Sequence, residues 1–179
     1  MNRIICAFAV VLLSLCTTSI VTAEPPADSL AVRIVPSSTN NKGGHSITLF
    51  LPAQHFYVVI TNVSKEPVRL WREWCSWGYY SLSFSVVGPD GKDILVKKKQ
   101  IGWTKNFPDS TTLAPGDHLV FEVTFDQAVW PDAPVPDKGK SREVKMKAVF
   151  AIAADDESKQ HGVWVGEVSS PVASYTIYR

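Results

Sequence analysis

The chain is poor in cysteine, and two of its three, Cys6 and Cys16, lie in an N-terminal apolar segment. Only Cys75 remains beyond that segment, so the body of the chain cannot close an internal disulfide. Beyond Met1 the only methionine is Met146, and the four histidines, His45, His55, His118 and His161, stand singly on separate segments. Neither zinc nor copper ligand spacing is present, which leaves a pair assembled in space from His55 and His118 as the residual metal reading, behind ordinary surface histidines. There is no glycine-rich phosphate loop, no nucleophile-elbow serine and no histidine-glutamate metalloprotease motif, and the chain implies no cofactor. Glu73 and Glu122 stand too far apart in sequence to be offered as a carboxylate pair. Charge of one sign is missing too: 18 Lys+Arg face 17 Asp+Glu. A neutral chain does not point to nucleic acid or to an anionic membrane as its partner. No segment carries a sustained 3.6-residue period, which argues against a helical architecture.

What is present begins with Met1–Ala23, which reads as a signal peptide: Arg3, the short apolar run Ile4–Leu15, then small residues at Val21-Thr22-Ala23. The run is too short to span a bilayer, so no integral membrane anchor is expected after cleavage. Leu15 precedes Cys16 where lipoprotein processing wants a small side chain, so simple cleavage after Ala23 is favoured over lipid anchoring. Export without a disulfide fits a bacterial periplasmic or extracellular protein. Residues 24–29 form a flexible polar lead-in, and 30–179 are long enough for one domain with its own core.

Within that domain the period is two. Leu30–Val35 opens it, Pro36–His45 is a loop, and Ile47, Leu49 and Leu51 alternate with Thr48 and Phe50. Phe56–Asn62 is almost continuously apolar and β-branched, as expected of a central strand covered on both faces. Leu82, Phe84 and Val86 face away from Ser81, Ser83 and Ser85, and Gly88-Pro89-Asp90-Gly91 closes a hairpin onto Asp93–Lys98. Gln100–Ser110 is irregular. The turn Leu113–Asp117 launches Leu119–Asp126, and Gln127–Ser141, with Pro131, Pro134 and Pro136, is a loop. Met146, Ala148, Phe150 and Ile152 share a face, Asp155–Gly162 is a polar hairpin connection, and Val163–Tyr178 is one strand interrupted at Ser169-Ser170-Pro171.

This pattern predicts an all-β fold, a single antiparallel sandwich of about 7–9 strands with Greek-key connections. In FYVVITNVSKEPVRL, LAPGDHLVFEV and REVKMKAVFAI the chain resembles bacterial secreted Ig-like domains, over most of Phe56–Ile152. The resemblance implies the Ig-like sandwich and transfers no functional residue, since members include proteinase-inhibitor-like domains as well as adhesion and assembly modules.

The richest stretch is Arg69–Tyr80, RLWREWCSWGYY, read as a core strand running out into a loop. Trp71 is assigned to the core. Trp74, Trp77 and Tyr79, with Trp130 from the proline-rich loop, are the candidate binding residues, because tryptophans at loops and strand ends exceed what a core needs. Cys75 is the candidate reactive thiol; burial as a small hydrophobe is the favoured alternative. The acidic cluster Asp155-Asp156-Glu157 lacks calcium-loop spacing, and Lys97-Lys98-Lys99 reads as a charged strand end that discourages edge pairing. The expected function is that of an exported, non-catalytic module that binds another protein through its end loops. The alternatives are a proteinase-inhibitor-like domain and a carbohydrate-binding module using exposed tryptophans.

Overall fold

The computed structural model describes residues 27–39, 43–50, 54–88 and 91–179. Met1–Ala23, read above as a signal peptide, the first residues of the expected lead-in, Leu51 and the Pro89-Asp90 turn centre lie outside the described residues. After a 3₁₀ turn at Ala27–Ser29 the strands are β1 (Leu30–Val35), β2 (Ser38–Thr39), β3 (His45–Thr48), β4 (Phe56–Asn62) and β5 (Val68–Trp71). The helix α1 (Ser76–Tyr79) follows, then β6 (Leu82–Val87), β7 (Asp93–Lys97), β8 (Ser110–Leu113), β9 (His118–Val123) and β10 (Ser141–Ile152). Helix α2 (Asp156–His161), β11 (Gly166–Ser169) and β12 (Ala173–Tyr178) complete the chain.

These strands build an all-β, sandwich-like molecule. One sheet has the order β1-β4-β9; the larger has the order β2-β3-β12-β10-β6-β7, with β11 also on β10; β5 and β8 form a separate pair. All pairings are antiparallel except β12 with β3. Period-two alternation gives each sheet one apolar face, and the two faces meet in a single core. Phe56 meets Phe84 across the sheets at 5.7 Å between ring centroids, and Phe121 meets Phe150 at 5.9 Å. The strand β4 is central in its sheet but covered on one face only: Phe56, Val58 and Ile60 are buried while Tyr57 is exposed. An unbroken run of β-branched residues has no polarity alternation to reveal this.

Three local structures depart from the sequence expectations. The polar segment after β10 is helical. Ser158 N–H donates to Asp155 Oδ1 at 2.6 Å, Asp155 N–H donates to Ser158 Oγ at 3.0 Å, and Gly162 ends α2 at φ 60°, where a side chain would be strained. The strand β8, within and just beyond the segment taken as irregular, pairs with β5 from Val68↔Leu113 to Trp71↔Ser110. Lys98 is buried rather than forming part of a solvated charged end. The C-terminal segment is strand only in part: residues 163–165 lie outside any strand, β11 and β12 flank the same edge of β10, and between them Ser170 N–H donates to the Ala148 carbonyl at 2.9 Å while its hydroxyl accepts from Ala148 N–H.

Candidate interaction surface at the aromatic end

After Trp71 the chain leaves β5 and reverses through α1, a single helical turn. Cys75 occupies the N-cap position without capping through its own side chain. Asn106 supplies the missing cap from another loop: its carbonyl accepts from Ser76 N–H at 2.9 Å, and its amide donates to Ser76 Oγ at 2.7 Å. Gly78 lies against the exit of β5 so closely that a Cβ there would sit 2.5 Å from the Arg72 carbonyl carbon and closer still to its oxygen. The sequence Trp-Gly-Tyr is thus a packing requirement, and it clamps α1 onto β5.

That clamp fixes the tryptophans differently. Trp71 is fully buried and carries Trp77, half-buried, on its ring at 5.7 Å, with His161 of α2 edge-on at 5.4 Å. Trp74 is 65% exposed, yet it is held: its indole N–H donates to the Asp109 carboxylate, and the Arg72 guanidinium lies 5.1 Å over its ring. Arg72 also approaches Asp109 at 3.7 Å, and its N–H donates to the Asp109 carbonyl at 2.9 Å. Two residues before Asp109, Phe107 is 75% exposed. Trp74 and Phe107 are the most exposed large hydrophobic side chains among the described residues. Phe107 and Asp109 were missed by the sequence reading, because an irregular stretch gives no periodic signal for which side chain points outward.

Behind this surface the Lys98 ammonium pairs with the Glu73 carboxylate and sits 4.5 Å over the Tyr79 ring and 5.5 Å over the Trp130 ring. A cation between two aromatic faces and a carboxylate has its donors occupied, which is how a lysine tolerates burial. Tyr79 also meets Trp103 edge-on at 5.7 Å. Burial pushes the Tyr79 phenol above its ordinary pKa, with Tyr80 and the Glu73 carboxylate adding to the shift.

The four sequence candidates therefore separate. Trp74 is presented to solvent, Trp77 and Tyr79 are half-buried supports, and Trp130 is buried between Phe84 and Phe125 with Lys98 over it. Trp130 has no free ring face for a ligand, because the proline-rich loop folds back onto the core. Trp164 is likewise buried, its ring 6.1 Å from Phe150, so the apparent excess of tryptophans is largely absorbed by packing.

Cys75 is 1% exposed, and its thiol points at the Arg72 carbonyl at 3.2 Å and the Asp109 carbonyl at 3.6 Å. Burial of this thiol denies a reagent access. The native protein is expected to resist a thiol reagent until it is unfolded; stoichiometric labelling of folded protein would contradict this packing. His55 and His118 are brought to the same β4–β9 ladder but to opposite ends. His55 Nδ1 lies 2.9 Å from Thr124 Oγ1 and 3.3 Å from Glu122, and His118 Nδ1 lies 3.0 Å from Thr61 Oγ1. Among the described residues no group of three or more His, Cys, Asp or Glu side chains could hold a metal ion. No described helix is long and apolar enough to cross a membrane.

No protein-family model matches the chain, and no curated protein or solved structure is significantly similar to it.

Proposed function

We propose that the protein is an exported, non-catalytic Ig-like module that binds another protein through the aromatic end built by α1 and the 99–109 loop. The Ig-like Greek-key assignment is supported by the strand order. The first strand, β4 and β9 make one sheet, and β3, β12, β10, β6 and β7 make the other, with the short β3 running parallel to the last strand. The observation that carries the binding reading is Trp74. It is two-thirds exposed, with Phe107 from the loop that holds Asp109 more exposed still, and it is pre-set by Asp109 and Arg72, so little side-chain entropy is lost when a partner covers it.

The alternatives have less support. Inhibition of a protease asks for an extended exposed loop, whereas the Trp74–Tyr79 segment is largely helical. The Gln127–Ser141 loop is pinned by buried Trp130, Ala133 and Pro136, whose carbonyl accepts from Arg179. A sugar platform asks for exposed coplanar tryptophans, and Trp74 alone of the six is strongly exposed.

The test is affinity capture from an envelope extract with wild-type protein and a Trp74→Ala/Phe107→Ala variant. Hot-spot tryptophans contribute about 2 kcal/mol or more to binding, so the variant should lose a specifically captured protein while its thermal midpoint moves little. Equal capture by both proteins would remove the aromatic end as the contact surface.

A further inference from the structure

The strand β7 ends the larger sheet, paired with β6 on one side only. Its hairpin closes with Gly88 N–H donating to the Lys92 carbonyl at 2.7 Å. In an antiparallel ladder bonded and non-bonded pairs alternate, so Ile94 and Val96 exchange hydrogen bonds with Val86 and Phe84. Asp93, Leu95 and Lys97 then turn their N–H and C=O groups away from β6, along the free edge. Their side chains share one face of the sheet, the face opposite buried Val96.

This edge is exposed and apolar at its centre, with Ile94 46% and Leu95 49% accessible. It also reads acid, three apolar residues, base: Asp93-Ile94-Leu95-Val96-Lys97. Among the described residues neither Asp93 nor Lys97 forms an ion pair or a side-chain hydrogen bond. Such a strand is complementary to itself. Laid antiparallel on a second copy and centred on Leu95, it puts Asp93 of each copy opposite Lys97 of the other. In that register every outward N–H of Asp93, Leu95 and Lys97 meets an outward carbonyl of the second copy. Leu95 lies across from Leu95 on the same face as the two ion pairs. A shift by two residues would strand one charge of each pair and place unlike groups opposite, so the charges select the register.

We propose that β7 is the interface of a two-fold dimer in which the larger sheets of two copies join edge to edge through Asp93–Lys97. The lysines that would ordinarily protect an edge from pairing here specify one partner, because each meets an aspartate and not another lysine. The edge of β9 has a similar acid-base pattern in His118 and Glu122, but those side chains are already engaged by Thr61 and His55 within their own sheet. The inference is independent of the aromatic end, which shares none of these residues.

Sedimentation of the purified protein at tens of micromolar should show a dimer. Asp93→Lys and Lys97→Asp each place like charges opposite one another twice, and each should weaken self-association by about tenfold or more while the far-ultraviolet spectrum stays unchanged. Mixing the two variants should restore a dimer containing one of each, and the double swap Asp93→Lys/Lys97→Asp should restore the homodimer. A monomeric wild type, or single variants that dimerise as wild type does, would overturn the proposal.

Discussion

Replacing Trp71 by alanine is expected to destabilise the protein by about 3–5 kcal/mol, a large share of the stability of a domain this size. Trp71 is fully buried at the last position of β5, where it joins the core, carries Trp77 and receives the edge of His161. Truncation would open a cavity under α1 and remove the support of both helices at once. Its indole N–H has no hydrogen-bond partner among the described residues. Trp71→Phe therefore sacrifices ring area without breaking a polar contact, and should cost under about 1.5 kcal/mol. Denaturant midpoints at unchanged slope measure both changes. A loss below about 1 kcal/mol for alanine would mean that the ring is not the keystone its burial implies.

The contrast between Trp71 and its neighbours marks where sequence ceases to be informative. Alternation is a local signal, and it located β1, β6 and the core face of β10, because there one polar and one apolar face coincide with one strand. It did not place Trp71, which alternation sets on the face opposite Val68 and Leu70 with Arg69 and Glu73; Trp71 is buried all the same, because the strand ends there and α1 and α2 cover its ring. It could not locate β8, whose Ser-Thr-Thr-Leu has no apolar alternation and which is ordered by pairing with the distant β5 and by the Asn62 amide on the Leu113 carbonyl. The cap signals of α2, Asp155, Ser158 and Gly162, were legible, but one and a half turns are too few to show a period. The burial of Lys98 was not legible at all: a run of three lysines looks solvated, and the carboxylate and aromatic rings that receive the middle one come from α1, its preceding turn and the proline-rich loop. The exposure of Trp74 has the same origin. Its partner Asp109 comes from a loop whose only visible property was irregularity.

Gly78→Ala pits two effects against each other, and their magnitudes decide the sign. Within a helix alanine is favoured over glycine by about 1 kcal/mol, so propensity alone predicts stabilisation. Against this, the new methyl would overlap the Arg72 carbonyl oxygen and come within 3.1 Å of the Trp71 carbonyl carbon, both backbone atoms that cannot rotate away. Relief requires α1 to lift from β5, loosening Trp77 on Trp71 and the acceptors around the Cys75 thiol. Overpacking of this kind costs typically 1–3 kcal/mol and more when the obstacle is rigid, so a net loss of about 2–3 kcal/mol is expected. Gly102→Ala is the control, since a methyl there meets nothing within 4 Å and should change stability by less than about 0.5 kcal/mol. Gly78→Ala should also make Cys75 reactive in otherwise folded protein and weaken partner capture through Trp74, because one close contact holds the helix that shields the thiol and orients the surface. Alanine that stabilised the protein and left Cys75 protected would show that α1 does not press on β5, and the pre-set geometry of Trp74 would then need another cause.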